Sequence, residues 1–153
     1  RISLQKPCYA TVKGFDIIKW FTADNRLIAD GRDRSINIRY LPIINGEQGD
    51  LIHSVATRLK ASYLDDPSGA TQLDSLTASG NILYREETQP PIEFVGNQLY
   101  YNPAESIMHV TGNENTPCLA NGALCSGIRY NLETGKIETS ISTMPSALDT
   151  ANQ

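Results

Sequence analysis

Short runs of alternating apolar and polar residues fill this chain, and they come in pairs joined by turn residues. The clearest pair is Leu99-Tyr-Tyr-Asn-Pro-Ala-Glu-Ser-Ile-Met-His-Val-Thr-Gly112. Leu99 and Tyr101 fall on one face of the first arm, and Met108 and Val110 on one face of the second. This period of two marks strands with one buried side. Between the arms, Asn102-Pro103-Ala104-Glu105-Ser106 supplies turn chemistry, because Pro fixes φ and Asn and Ser bond the local backbone. Parity sets the facing, with Tyr101, Met108 and Val110 inward and Tyr100 and His109 outward. A slip of one residue would bury Tyr100, Ile107 and His109 instead, placing an imidazole where it needs a partner.

The pattern recurs. Ile18 to Gly31 has the same length and also ends on glycine, with Trp20 at the position of Tyr101, Leu27 at Met108 and Ala29 at Val110. A third copy runs from Ile128 to Thr139, with Tyr130 on Tyr101 and Ile137 on Met108. A looser copy spans Leu59 to Gly80, where Leu76 and Ala78 precede the glycine as Leu27 and Ala29 precede Gly31; its connection, around Asp65-Asp66-Pro67-Ser68-Gly69, is longer. Repeated strand-turn-strand units imply hairpins stacked around one continuous core. Their irregular spacing suits a stacked or folded-over antiparallel sheet better than a strict solenoid.

The remaining chain reads the same way. Residues 1–14, with Tyr9-Ala-Thr-Val12, are expected to form an edge strand. Ile36, Ile38 and Tyr40 alternate with polar residues, and Pro42 and Asn45-Gly46 end that strand. Val55 to Tyr63 has the Ala and Leu content of a helix, but Leu59, Ala61 and Tyr63 alternate with Arg58, Lys60 and Ser62 and predict a strand. Ile82 and Tyr84 begin another, and Gln89-Pro90-Pro91 interrupts the connection to Ile92-Glu-Phe94. Phe94 and Leu99 stand on opposite parities, so a bulge or bend at Gly96 is needed to bring both to one face. Residues 1–143 are expected to form a single β domain with minimal helix, and 144–153, which have no period, a loose tail.

At 153 residues the chain is long enough to bury a core, and its 40% hydrophobic and 20% charged residues are ordinary for a globular domain. A net charge of −4 without a basic run makes nucleic acid a poor partner. No apolar run approaches the roughly 20 residues that span a bilayer. The chain opens on Arg1 without a signal peptide, which points to a processed protein or an excised domain and says nothing of destination. Cys118 and Cys125 flank Asn121-Gly122, a strong hairpin signal, and the register centred there opposes them directly. A disulfide is one outcome. Because counting outward puts them at the wider, hydrogen-bonded kind of pair, free thiols are the other. Cys8 has no evident partner.

Catalytic chemistry has little to build on. The only histidines, His53 and His109, lie in no metal-binding spacing, and no nucleophile elbow, phosphate loop or dinucleotide fingerprint is present. A cysteine with a histidine assembled in space has no support in the sequence. Asp65-Asp66, and Asp30 with Asp33, are better read as solvated turn carboxylates than as a cation site. No catalytic residue, metal or cofactor is assigned.

The run Gly96-Asn-Gln-Leu-Tyr-Tyr-Asn, a short turn, then Ile107-Met-His-Val-Thr-Gly-Asn113 resembles the repeat of the OstA/LptA-like superfamily, the periplasmic lipopolysaccharide-transport proteins that include LptA, LptC and the N-terminal domain of LptD. Phe94, Gly96, Leu99 and Tyr101 fill the first half of that pattern, and Met108, Val110 and Gly112 the second. With the weaker copies it covers most of residues 15–140. The long connections near Asp65 and Pro90 and the cysteine-flanked hairpin depart from it. The resemblance implies a V-shaped antiparallel β-jellyroll that stacks edge to edge on similar domains, a periplasmic or otherwise exported location, and an apolar groove for the acyl chains of lipopolysaccharide or another lipid. On that reading the lining candidates are Trp20, Leu27, Leu76, Tyr84, Phe94, Leu99, Tyr101, Met108, Val110, Tyr130 and Ile137. Without it, the same stripe is the packed core of a structural or adhesion-type repeat domain that holds no ligand.

Overall fold

Two long strands organise the architecture. The computed structural model describes residues 2–5, 9–41, 43–44, 47–65 and 71–141. Among these, β10 (Thr71–Glu86) and β11 (Ile92–Asn102) pair from Leu76 opposite Tyr101 to Glu86 opposite Ile92, and each runs through both halves of a folded 14-stranded antiparallel sheet. The first half of β10 and the second half of β11 belong to one layer. It is completed by β3 (Ile17–Phe21), β4 (Arg26–Asp30) and β9 (Arg58–Asp65) on one side, and by β12 (Ile107–Thr111), β15 (Gly127–Asn131) and β16 (Ile137–Ser140) on the other. Their remaining halves belong to the second layer, with β1 (Ile2–Gln5), β2 (Tyr9–Lys13), β5 (Ile36–Leu41) and β8 (Ile52–Ala56) on one side and β13 (Cys118–Ala120) and β14 (Ala123–Cys125) on the other. A separate ribbon pairs β6 (Ile43–Ile44) with β7 (Glu47–Gln48). The helical content of the described residues is one 3-10 turn, Thr22–Asp24. This is the folded-over antiparallel sheet that the alternation predicts.

The layers close on a common core. Leu27, Ala29, Leu59, Ala78, Leu99, Met108, Val110, Ile128 and Tyr130 of the first layer meet Val12, Ile36, Ile38, Ile52, Ala56, Ile82, Tyr84, Phe94, Cys118 and Ala120 of the second. The Phe94 ring stacks on Tyr84 at 5.5 Å and meets Tyr130 edge-on at 5.4 Å. Such pairs each contribute about 0.5–1.5 kcal/mol beyond the area they bury.

The glycines that end the repeats lie where one layer turns into the other. Between Ser79 and Ile82 the register of β10 on β11 shifts, and Gly80 (φ 83°) and Asn81 (φ 48°) take the left-handed conformations that accommodate the bulge. Thr57, which separates β8 from β9, donates its N–H to Ser79 O and Gly80 O at 3.0 Å, and its carbonyl accepts Gly31 N at 2.9 Å. The face change expected at Gly96 takes place, since Phe94 and Leu99 are both buried, but the extra residue sits on the partner strand. At Gly112 a Cβ would lie 2.4 Å from Cys118 N and 2.8 Å from Pro117 C, both backbone atoms that cannot swing aside. Gly112→Ala is therefore expected to cost about 2–3 kcal/mol, read as a lower urea midpoint with unchanged slope.

Residues 1–14 differ from expectation. They hold two strands, and Tyr9–Lys13 is interior because β1 pairs with its outer side and β5 with its inner side. Val55 to Tyr63 is extended as predicted, bent at Thr57 into β8 and β9. Ile107 is buried although it shares the parity of the exposed Tyr100 and His109. Cys8, the Asn45-Gly46 turn, Asp66 to Gly69 and the tail from 144 lie outside the described residues.

Candidate functional site

Cross-strand register places most of the lining candidates in a single line across the first layer. Trp20, Leu27, Ala61, Leu76, Tyr101, Met108, Tyr130 and Ile137 are successive Cα partners from β3 to β16. A second line, nearer the fold, runs Ile18, Ala29, Leu59, Ala78, Leu99, Val110, Ile128 and Thr139 through the same strands. Tyr84 and Phe94 stand opposite, in the second layer, as partners of each other.

Burial divides the candidates. Leu27, Tyr84, Phe94, Leu99, Met108, Val110 and Tyr130 are buried and pack as core. Leu76, Tyr101 and Ile137 are half-buried at the margin of that core, and Trp20 is 52% exposed. These four belong to the outer line, the one farther from the fold. Tyr40 and Ile92, from the row of the second layer that contains Ile52 and Glu86, border the same margin.

Two contacts join the layers there. Tyr40 and Tyr101 meet edge-on with centroids 6.5 Å apart. The Tyr130 hydroxyl donates to Glu86 Oε2 at 2.7 Å, and the Tyr84 hydroxyl donates to the same oxygen at 3.2 Å. Desolvation by burial, then the adjacent Glu86 carboxylate, holds the Tyr84 phenol well above its ordinary value of 10.0; burial and the bond to Glu86 raise Tyr130 as well. Both phenols therefore stay protonated and donating at neutral pH. A raised folded-state value adds stability that is complete below the unfolded value and lost as pH rises through the folded one. The contribution of these two phenols should be level up to about pH 10 and decline above it. Urea midpoints at stepped pH, compared with Tyr84→Phe, would check this.

At the β3 end the apolar face is uncovered. Trp20 packs edge-on against Tyr63 at 5.8 Å, its indole N–H donating to the phenol oxygen, and Ile18 beside it is also exposed. A depression of about 450 Å³ over β12, β15 and β16 is lined in part by His109, Arg129, Glu138 and Ser140, with Arg129 and Glu138 paired at 3.2 Å.

Cys118 and Cys125 are Cα partners, as the turn predicts, and they stand as free thiols with their sulfurs 3.4 Å apart. Asp30 Oδ1 accepts from Arg32 N at 2.7 Å, the behaviour of a turn carboxylate. Among the described residues no three His, Cys, Asp or Glu side chains gather as metal ligands, and no helix is long and apolar enough to cross a membrane.

Sequence reasoning missed Glu86 and did not place Tyr40 at the rim. The signal for Glu86 was present, because Ile82, Tyr84 and Glu86 share one parity and a strand that buries the first two turns the carboxylate inward as well.

The chain is similar in structure to LptH from Pseudomonas aeruginosa, described as the LptA homologous periplasmic component of the conserved lipopolysaccharide transport device. The TM-score is 0.60 at 12% sequence identity, covering 90% of this chain and 87% of that one. No protein-family model and no curated protein matches the sequence. The fold is thus the LptA-like β-jellyroll expected from the repeat.

Proposed function

We propose that this chain is an exported, periplasmic lipid-binding module of the lipopolysaccharide-transport type, holding acyl chains between the two layers of its folded sheet. The observation that carries the reading is the apolar line from Trp20 to Ile137, which crosses the first layer and is partly exposed at Trp20, Leu76, Tyr101 and Ile137. Likeness to a periplasmic component of a lipopolysaccharide-transport device supports it. Such a module needs no catalytic group, since each buried methylene of a lipid contributes roughly 0.8 kcal/mol. Acyl chains enter by parting the layers at the rim, where Leu76, Tyr101 and Ile137 are already half-buried. The outer strands of the two layers offer unpaired backbone groups to similar domains, the route by which modules of this shape join.

A structural repeat domain with a dry core is the competing account, favoured by the complete burial of Phe94, Val110 and Ala29. Native mass spectrometry after gentle purification, followed by titration with lipopolysaccharide and with a fluorescent fatty acid, separates the two. The proposal expects retained or saturable acyl lipid at one site. An apo protein that takes up neither probe would make the dry-core account the better one.

A further inference from the structure

The hairpin of β13 and β14 carries a pair of thiols that the lipid-binding reading does not use. Cys118 and Cys125 are direct cross-strand partners, and the Cys125 thiol points at Cys118 Sγ from 3.4 Å. Their environments differ. Cys118 is 2% exposed within the core, its thiol 3.6 Å from Val110 O, while Cys125 is half-buried beside Leu124, which is 72% exposed. Burial, with Cys125 adding to it, pushes the Cys118 thiol up to about 12, so it is almost wholly protonated at neutral pH. An incoming reagent therefore meets Cys125 first and Cys118 second.

We propose that Cys118 and Cys125 form a thiol–disulfide exchange site, oxidised to an intramolecular disulfide by a low-molecular-weight disulfide or a dithiol oxidoreductase. The Cys125 thiolate attacks one sulfur of the oxidant's disulfide, forming a mixed disulfide and releasing the other sulfur as a thiolate. That thiolate takes the proton from Cys118, whose sulfur then attacks Cys125 Sγ and expels the second oxidant sulfur. In total two protein thiols become one disulfide, and their two electrons and two protons leave on the two thiols of the reduced oxidant. The bond ties down β14, which among the described residues pairs only with β13. Its formation is independent of lipid, so it stands or falls apart from the proposed function.

The test uses the whole chain with Cys8→Ser, which removes the third cysteine. After incubation with oxidised glutathione the protein is denatured, alkylated and weighed, in parallel with a sample kept in dithiothreitol. The expected product has lost two hydrogens, takes up no alkylating reagent and stays monomeric, and reduction reverses the change. Amide hydrogen exchange of Ala123–Cys125 should slow on oxidation. In the same background, Cys118→Ala should stop at a glutathione adduct on Cys125, while Cys125→Ala should gain adduct at least tenfold more slowly. The proposal is overturned if Cys8→Ser protein retains two alkylatable thiols, accumulates a stable glutathione adduct on Cys125, or links to a second chain instead. Those readings come from the variant that keeps both thiols, so they hold even if the alanine variants fail to fold.

Discussion

Met108→Asp should unfold the domain, whereas His109→Asp, one residue along, should leave it almost unchanged. Met108 is 4% exposed, with Tyr101 and Tyr130 as its cross-strand partners. One of these partners, Tyr130, already donates its proton to Glu86, so a new carboxylate at 108 would have to take that donor from another acid. An uncompensated buried charge costs about 3–5 kcal/mol. That is a large share of the 5–15 kcal/mol that holds a domain folded. His109 is exposed on the outer face, and its cross-strand partners Tyr100 and Arg129 are exposed as well. A carboxylate there gains water on one side and a guanidinium on another, so the change should stay within about 0.5 kcal/mol. Circular dichroism and urea unfolding of the pair read this directly. Equal destabilisation by both substitutions would show that parity does not set the facing of β12.

That contrast was legible in the sequence because a period of two admits only two facings, and one of them buries an imidazole. The same logic placed Trp20, Leu27, Leu76, Tyr101, Met108, Tyr130 and Ile137 on equivalent positions of separate repeats, and the sheet joins those positions as cross-strand neighbours. The hairpin register at Asn121-Gly122 was legible for a similarly local reason, as the turn alone determines which residues oppose. What periodicity could not supply is which layer each half of a strand joins. β10 reads as two apolar runs around Gly80, yet it is one strand of 16 residues that bends through the bulge. For the same reason the contact of Glu86 with Tyr130 was hidden, since those residues are 44 apart and belong to different layers. Burial depth was hidden too. Alternation marks Leu76 and Phe94 alike as inward, and only the closing of the second layer leaves one at the margin and the other in the centre.

That difference of depth yields the second large effect. If acyl chains enter at the rim, Leu76→Asp and Tyr130→Phe should change lipid affinity in opposite directions. Leu76 is half-buried at the margin, so an aspartate there can stay hydrated in the lipid-free protein and keep the fold. Lipid would have to desolvate that carboxylate, at a cost of about 2–3 kcal/mol, which corresponds to roughly hundredfold weaker binding. Tyr130 acts on the other side of the equilibrium, because its hydroxyl links the first layer to Glu86 on the second. Parting the layers breaks that bond, and a hydrogen bond to a charged group contributes about 1.5–3 kcal/mol. Removing it destabilises the closed form more than the open one, since Glu86 keeps the Tyr84 hydroxyl and gains water when the rim opens. A ligand that binds only the open form gains in proportion to its population, so Tyr130→Phe should bind acyl lipid about tenfold more tightly while lowering thermal stability. Fluorescent fatty-acid titrations of the wild type and both variants, each first shown to keep its β spectrum, measure the two shifts together. Weaker binding by Tyr130→Phe would make that hydroxyl a lipid contact rather than a closure. Unchanged affinity in Leu76→Asp would remove the outer line from the site and with it the proposed path of the chains.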